Sequence, residues 1–176
     1  MRMRRRVTTA LAAIALATAS AGTALATNDD HDEVFLTTVH RGNLAEIAAG
    51  RDAQSNAVTR CVKDLGQVLV RDHTKLDQDV KALADRFRIT LPRSAGADQE
   101  QQLKELRKKA HTPRYDDAWL RAQDTGHVLA LDLVDNEKDH GRDPAVRDAA
   151  RKARPVIAKH LDMIRDCMFG HQAHHK

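Results

Sequence analysis

The sequence predicts an all-α protein, a four-helix bundle in which a long crossover with a short extra helix joins helices two and three. Three observations predict this architecture. Apolar residues recur every three or four positions over four long stretches. No stretch alternates apolar and polar residues for long enough to form a strand. The segment of about residues 89–112 between the second and third stretches is much longer than the other two connections.

The first 26 residues have the order of a secretory signal peptide. Four arginines precede a short apolar run at residues 7–17, and small residues end in an A-x-A site at 24–26. We expect cleavage after Ala26, the alternative being an uncleaved anchor or a helix of the fold. The predicted organisation is a signal peptide (1–26), a helical domain (27–170) and a histidine-rich flexible tail (171–176), in an exported protein of the periplasm, cell envelope or extracellular space.

The predicted cleavage changes the charge of the chain. Lysine plus arginine falls from 29 to 25, against 25 aspartate plus glutamate, so the mature chain is formally neutral. With 3% aromatic residues as well, the chain lacks the basic surface and stacking residues of a nucleic-acid-binding protein. It has no second apolar span, so we expect no integral membrane insertion after cleavage. The oligomeric state stays open.

The first two long helices are predicted over about residues 30–55 and 58–88. Small residues such as Gly42 form a line along the first helix, which lets a neighbouring helix approach closely, and Glu46 lies among them. The second helix carries an apolar stripe that is interrupted once, at its centre, by His73. A titratable ring is therefore aimed at the core.

The crossover begins where Pro92 ends the helical pattern, and it contains the short charged helix of residues 98–110. Pro113 begins the third long helix, which Gly141 closes. The fourth long helix opens at residues 143–144 with an acidic cap followed by a proline. Pro155 falls inside its apolar pattern and predicts a kink or a loosened turn.

The two cysteines bear on the connectivity. Cys61 lies near the start of the second helix and Cys167 near the end of the fourth. Export favours a disulfide between them, the alternative being two buried free thiols. In an up-down-up-down bundle the two residues would lie roughly 40 Å apart at opposite ends. A crossover that makes helices two and three parallel brings them to one end, so a disulfide favours the ferritin-like arrangement.

Each long helix carries a potential metal ligand near its midpoint, namely Glu46, His73, His127 and His160 in chain order. Asp124 lies three residues before His127, a pair that is similar to the carboxylate-x-x-histidine pairs of di-iron bundles. Mid-helix residues meet at one level whichever way the helices point. Three imidazoles and one or two carboxylates suit zinc, copper or iron.

The pattern departs from a di-iron centre at two places. Val70 and Ile157 stand three residues before His73 and His160, where a di-iron site has carboxylates. The alternative to a metal site is that the histidines are buried hydrogen-bonding groups that fix the helix register. In either case, buried neutral imidazoles predict that the bundle loosens near the histidine pKa of about 6.

Several short motifs carry a resemblance to one family. They are GNLAEI at 42–47, DHT at 72–74, a Leu-Pro pair at 91–92, glutamine and histidine at 123 and 127, and HL at 160–161. In this order they resemble the bacterial exported proteins of the domain of unknown function 4142 (DUF4142) family, over about residues 30–168. The resemblance implies a ferritin-like bundle in the periplasm or outside the cell, with histidines at the positions of His73, His127 and His160.

We expect a binding protein, since no serine or cysteine nucleophile stands beside a base and no phosphate-binding loop is present, although an enzyme stays open. The first hypothesis is an exported bundle that binds a metal ion or a small polar ligand at the histidine layer, in metal handling or stress protection. The alternative is a structural or interaction protein of the cell envelope. In that case the histidine layer only sets the register.

Overall fold

A computed structural model describes residues 30–173, which form five helices and no strand. The helices are α1 (Asp30–Asn56), α2 (Arg60–Phe87), α3 (Ala97–Arg107), α4 (Pro113–His140) and α5 (Pro144–Ala173). The predicted all-α class is confirmed. The predicted signal peptide lies outside the described residues. α5 includes the first three residues of the predicted tail, and residues 174–176 also lie outside. None of the described helices is long and apolar enough to cross a membrane.

Local chemistry explains where the helices begin and end. The hydroxyl of Thr59 accepts a hydrogen bond from the Val62 backbone N–H at 3.4 Å and so caps the start of α2. α2 ends at Arg88, whose φ of 59° places it in the left-handed region. α4 begins with Pro113. α5 continues through Pro155 as one helix.

The helices pack as two hairpins, α1 against α2 and α4 against α5. A disulfide joins the hairpins, since Cys61 at the start of α2 is bonded to Cys167 near the end of α5, with their Cα atoms 5.9 Å apart. The predicted pairing is confirmed, and the alternative of two free thiols is wrong. α1 and α4 contact each other less extensively than the helices within either hairpin do.

Asp116 ties the first turn of α4 to the first turn of α2. Its carboxylate accepts hydrogen bonds from the backbone N–H groups of Val58 (2.9 Å) and Thr59 (2.8 Å) and from the Thr59 hydroxyl (2.6 Å). The starts of α2 and α4 therefore lie at the same end of the molecule, where the disulfide also lies.

The core consists of two apolar clusters with a polar level between them. One cluster lies at the disulfide end and includes Leu65, Leu69, Trp119, Leu120 and Ile164. The other lies at the opposite end and includes Phe35, Leu36, Val80, Val134 and Ile157. On each of α2, α4 and α5 the buried residues between these clusters include a histidine. The packing of apolar side chains above and below thus fixes the level at which the histidine rings meet.

Candidate metal centre

Three histidines from three helices meet between the two apolar clusters. His73 of α2, His127 of α4 and His160 of α5 are 5%, 2% and 0% exposed. The distances between their ring centroids are 5.7, 5.2 and 5.5 Å. One ring nitrogen from each residue lies within 4.8 Å of the other two. The geometry therefore offers three imidazole ligands to one point.

Each ring has one nitrogen engaged by an oxygen. The pairs are His73 Nδ1 with Asn43 Oδ1 at 2.9 Å, His127 Nδ1 with the Gln123 carbonyl at 2.9 Å, and His160 Nε2 with Asp72 Oδ2 at 3.0 Å. These oxygens can only accept hydrogen bonds, so each of the three nitrogens carries a hydrogen and donates it. The other nitrogen of each neutral ring therefore carries a lone pair.

These lone pairs have no hydrogen to accept. His73 Nε2, His127 Nε2 and His160 Nδ1 are buried and have no hydrogen-bond partner among the described residues. Leaving a buried acceptor unsatisfied costs about 1–3 kcal/mol. A single cation at the centre of the three rings would satisfy all three nitrogens. The hydrogen bonds on the opposite nitrogens resemble the contacts that orient metal-bound histidines in other proteins.

The electrostatics keep the rings neutral. Burial lowers the pKa of His73 well below its usual value, and the charges of His127 and His160 lower it further. Burial also lowers the pKa of His127 to about 4 and shifts that of His160 downward, although Asp72 opposes the latter shift. A hydrogen bond from Arg71 holds the Asp72 pKa at about 2. At neutral pH the cluster is in the form that binds metal ions.

The two predicted carboxylate ligands lie elsewhere. Asp124 is not in the group of converging ligand atoms, and its Oδ1 accepts a hydrogen bond from Arg165 Nε at 2.8 Å. Glu46 is also outside that group, and its carboxyl group is buried and hydrogen-bonded to the Gln123 side chain. Burial raises the Glu46 pKa to about 7. The structure thus brings together three of the five predicted ligands.

Two partners of the cluster were not foreseen from the sequence. Asn43 and Gln123 are 6% and 5% exposed and orient His73 and His127. The sequence could have indicated Asn43 as a partner, because it lies about one turn before Glu46 on α1. His40, which also lies near the predicted layer, takes no part in it. Its Nδ1 is 2.6 Å from Asp77 Oδ1 and its Nε2 is 2.9 Å from the Pro92 carbonyl.

A second group of possible ligands lies at the end opposite the disulfide and was also not predicted. One atom each from His31, Asp32 and Glu137 fall within 4.8 Å of one another. The Asp32 carboxylate accepts hydrogen bonds from the backbone N–H groups of Arg142 (3.0 Å) and Asp143 (2.8 Å). These bonds tie the start of α1 to the turn between α4 and α5.

A cavity of about 420 Å³ lies between α1 and α4 beside the histidine cluster. Glu46, His73, Gln123 and His127 line it on the side of the cluster, and aliphatic side chains line most of the remainder. The cavity occupies the interface at which the two hairpins make fewer contacts. The polar level is therefore reachable from a space large enough for a small molecule.

A family model described as "Domain of unknown function (DUF4142)" matches residues 15–167. No curated protein matches the chain, and no solved structure does. The matched range includes the three clustered histidines and the side chains and carbonyl that orient them.

Proposed function

The chain belongs to the family described as Domain of unknown function (DUF4142), and from that premise we propose that it is an exported helical-bundle protein that binds one transition-metal ion through His73, His127 and His160. The observation that carries the proposal is the meeting of three buried histidines, each of which offers one nitrogen within 4.8 Å of the other two and has one nitrogen without a hydrogen-bond partner within residues 30–173. The role we infer is metal handling or stress protection.

The donor set indicates which ions would bind. Three neutral imidazoles suit zinc, copper or iron, and a site with three protein ligands leaves a further coordination position open. Zinc–nitrogen distances of about 2.0–2.1 Å place tetrahedral ligand nitrogens roughly 3.3 Å apart. An ion would therefore hold the three nitrogens closer together than the 4.8 Å within which one atom from each ring lies.

We also infer that the bundle has the ferritin-like arrangement, with a crossover that contains α3. The contacts of Asp116 with Val58 and Thr59 support parallel α2 and α4, because they join the starts of both helices. The Cys61–Cys167 bond supports the same arrangement, because it joins the start of α2 to the end of α5. The disulfide also fits export to an oxidising compartment.

Metal titration of the purified protein tests the proposal. Zn²⁺ is titrated into chelator-treated protein in which His171, His174 and His175 are replaced by glutamine, so that the tail does not contribute. We expect one bound equivalent, and we expect His127→Gln to weaken binding by at least about 100-fold. His40→Gln is the matched control, because His40 is equally buried but has both ring nitrogens engaged. Absence of stoichiometric binding, or equal binding by His127→Gln, would refute the proposal.

Asp72 provides a second test, as a residue that positions His160. Replacing it with asparagine weakens the acceptor of the His160 Nε2 hydrogen, and loss of such an orienting contact costs about 10- to 100-fold in metal affinity. We expect Asp72→Asn to reduce Zn²⁺ affinity within that range without changing stoichiometry. The control is Asp64→Asn, which breaks an exposed ion pair with Arg60 on the same helix.

The second candidate function is that of a structural or interaction protein of the cell envelope. The hydrogen bonds of His73 to α1 and of His160 to α2 favour it, because they fix the register of neighbouring helices. On this hypothesis His127→Gln changes the free energy of unfolding but no metal affinity. The titration above therefore separates the two functions.

A further inference from the structure

We propose that the cavity between α1 and α4 binds an elongated aliphatic molecule with one terminal hydrogen-bond-donating head group, a primary alkylamine. This inference goes beyond metal binding. It depends on the shape and lining of the cavity, and it requires no ion at the histidines.

The size and lining of the cavity suit a small apolar molecule. Its volume of about 420 Å³ lies in the range of about 300–1,000 Å³ for small-molecule sites. Aliphatic side chains from both helices line its length, among them Leu36 and Val39 of α1 and Leu133 and Val134 of α4. Leu129, also in the lining, is 63% exposed and marks the open side. An aliphatic body in the cavity would be removed from water except along that open side.

The cavity wall contains two glycines at positions where the described residues leave room for a side chain. A Cβ atom added at Gly42 would meet no heavy atom within 4 Å in the described residues outside its own helix and sequence neighbours. One added at Gly126 would meet only Glu46 Oε1, at 3.8 Å. Glycine inside a helix costs about 1 kcal/mol relative to alanine. Both glycines line the cavity, so the space that they leave is available to a ligand.

Two other glycines of the bundle show the contrast. A Cβ atom at Gly50 would lie 2.6 Å from the Gly66 carbonyl oxygen, and one at Gly66 would lie 2.7 Å from the Gly50 carbonyl oxygen. Those two residues are therefore needed for the close packing of α1 on α2. Within residues 30–173, no equivalent contact explains Gly42 or Gly126.

The polar atoms beside the cavity specify the head group. Glu46 Oε2 and Gln123 Oε1 are buried, and neither has a hydrogen-bond partner in the described part of the chain. When Glu46 is ionised, its carboxylate oxygen accepts hydrogen bonds and does not donate them, and the amide oxygen of Gln123 likewise only accepts. A ligand that satisfies both must therefore bring donors, and an ammonium group brings up to three together with a positive charge.

The charge of Glu46 supports the same head group. Burial raises its pKa to about 7, because the ionised carboxyl group lacks compensation in the interior. An ammonium ion beside the carboxylate would supply that compensation. Lys152 also lines the cavity, but it is exposed to solvent at the rim. A ligand carboxylate would meet Lys152 there and would be repelled by Glu46 inside.

Calorimetric titration with a matched set of eight-carbon probes tests the inference. n-Octylamine, n-octanol and octanoate are each titrated into chelator-treated protein. We expect saturable one-to-one binding of octylamine, weaker binding of octanol and the weakest binding of octanoate. Glu46→Gln should reduce octylamine affinity about tenfold and leave octanol affinity within about twofold. Glu105→Gln, at an exposed position, is the control.

A second pair of variants tests the location of the probe. Gly42→Leu should fill the cavity and abolish binding of both octylamine and octanol while increasing thermal stability. Gly126→Leu should do the same from the opposite wall. Unchanged binding in both glycine variants, or preference for octanoate, would overturn the inference.

Other occupants would give different results. If the wild-type protein shows no saturable octylamine binding and Gly42→Leu changes the oligomeric state, the occupant is a second copy of the chain. That result overturns the inference. The probes are tested without metal, so the two proposals can fail separately. Amine binding without Zn²⁺ binding would support this inference and refute the proposed function. Zn²⁺ binding without amine binding would support the proposed function and refute this inference.

Discussion

Glu137 is a buried acid close to the end of α4. It is 1% exposed, and its Oε2 lies 3.3 Å from His31 Nδ1 at the start of α1. Burial, together with the neighbouring charge of Asp32, raises its pKa to about 7. Asp32 differs because backbone N–H groups donate hydrogen bonds to it and lower its pKa, although burial acts in the opposite direction. Of these two acids, Glu137 is therefore the one that holds its proton to the higher pH.

This environment predicts that Glu137 makes the fold less stable in alkaline solution. Folding raises its pKa from 4.5 to about 7, so the native state binds the proton more tightly and stability falls as the pH rises through that interval. When the pH rises from 5 to 8, the free energy of unfolding of the wild-type protein should fall by about 2 kcal/mol more than that of Glu137→Gln. Urea denaturation at both pH values measures this. The exposed Glu105→Gln variant should follow the wild type, and a parallel loss in Glu137→Gln would contradict the prediction.

At the scale of the elements, α1 and α2 approach each other closely at Gly50 and Gly66. A side chain at either position would collide with the backbone carbonyl oxygen of the other glycine. Gly42, two turns before Gly50 on the same helix, faces the cavity instead. The two glycines of α1 therefore have opposite packing environments.

Alanine substitutions in α1 should reveal this difference. We expect Gly50→Ala to destabilise the protein by about 1–3 kcal/mol, because its Cβ would press against the α2 backbone and force the helices apart. We expect Gly42→Ala to stabilise it by about 0.5–1 kcal/mol, because alanine restricts the unfolded chain and meets no obstacle. Urea denaturation of both variants measures the two signs. Equal effects of the two substitutions would show that the contact with α2 does not limit the residue at 50.

For the whole molecule, the disulfide is the only covalent cross-link between the hairpins in residues 30–173 apart from the polypeptide backbone itself. Cys61 and Cys167 are separated by 106 residues. Closing a loop of that size removes much entropy from the unfolded chain. We expect the double substitution to serine to retain the helical fold and to lose about 2–4 kcal/mol of stability. Circular dichroism and urea denaturation measure both. Wild-type protein under reducing conditions should match the variant, and a stability equal to that of the oxidised wild type would contradict the prediction.

The histidine cluster makes the stability of the whole bundle dependent on acid. Folding lowers the pKa of His127 from 6.5 to about 4, so its contribution is fully present above pH 6.5 and is lost as the pH falls through that interval. His73 and His160 shift in the same direction. In metal-free protein, the difference in unfolding free energy between pH 7 and pH 4.5 should be smaller for His127→Gln than for the wild type. His140→Gln, on the surface, should leave the difference unchanged.

The sequence by itself determined the helices, because periodicity, caps and prolines act within one or two turns of the chain. It also placed His73, His127 and His160 on buried faces, because each follows the spacing of the apolar residues around it. The predicted disulfide is present as well, and it supports the connection through α3.

Only the tertiary structure decided what each polar side chain meets. Asp124 has the right spacing from His127, yet it bonds Arg165 of α5, and Asn43 of α1 orients His73 of α2. The same holds for the cavity, which exists because α1 and α4 pack less closely than the helices within each hairpin. These outcomes depend on the rotation of one helix against another. That rotation is set by side-chain packing between residues far apart in the chain, and a local pattern carries no information about it.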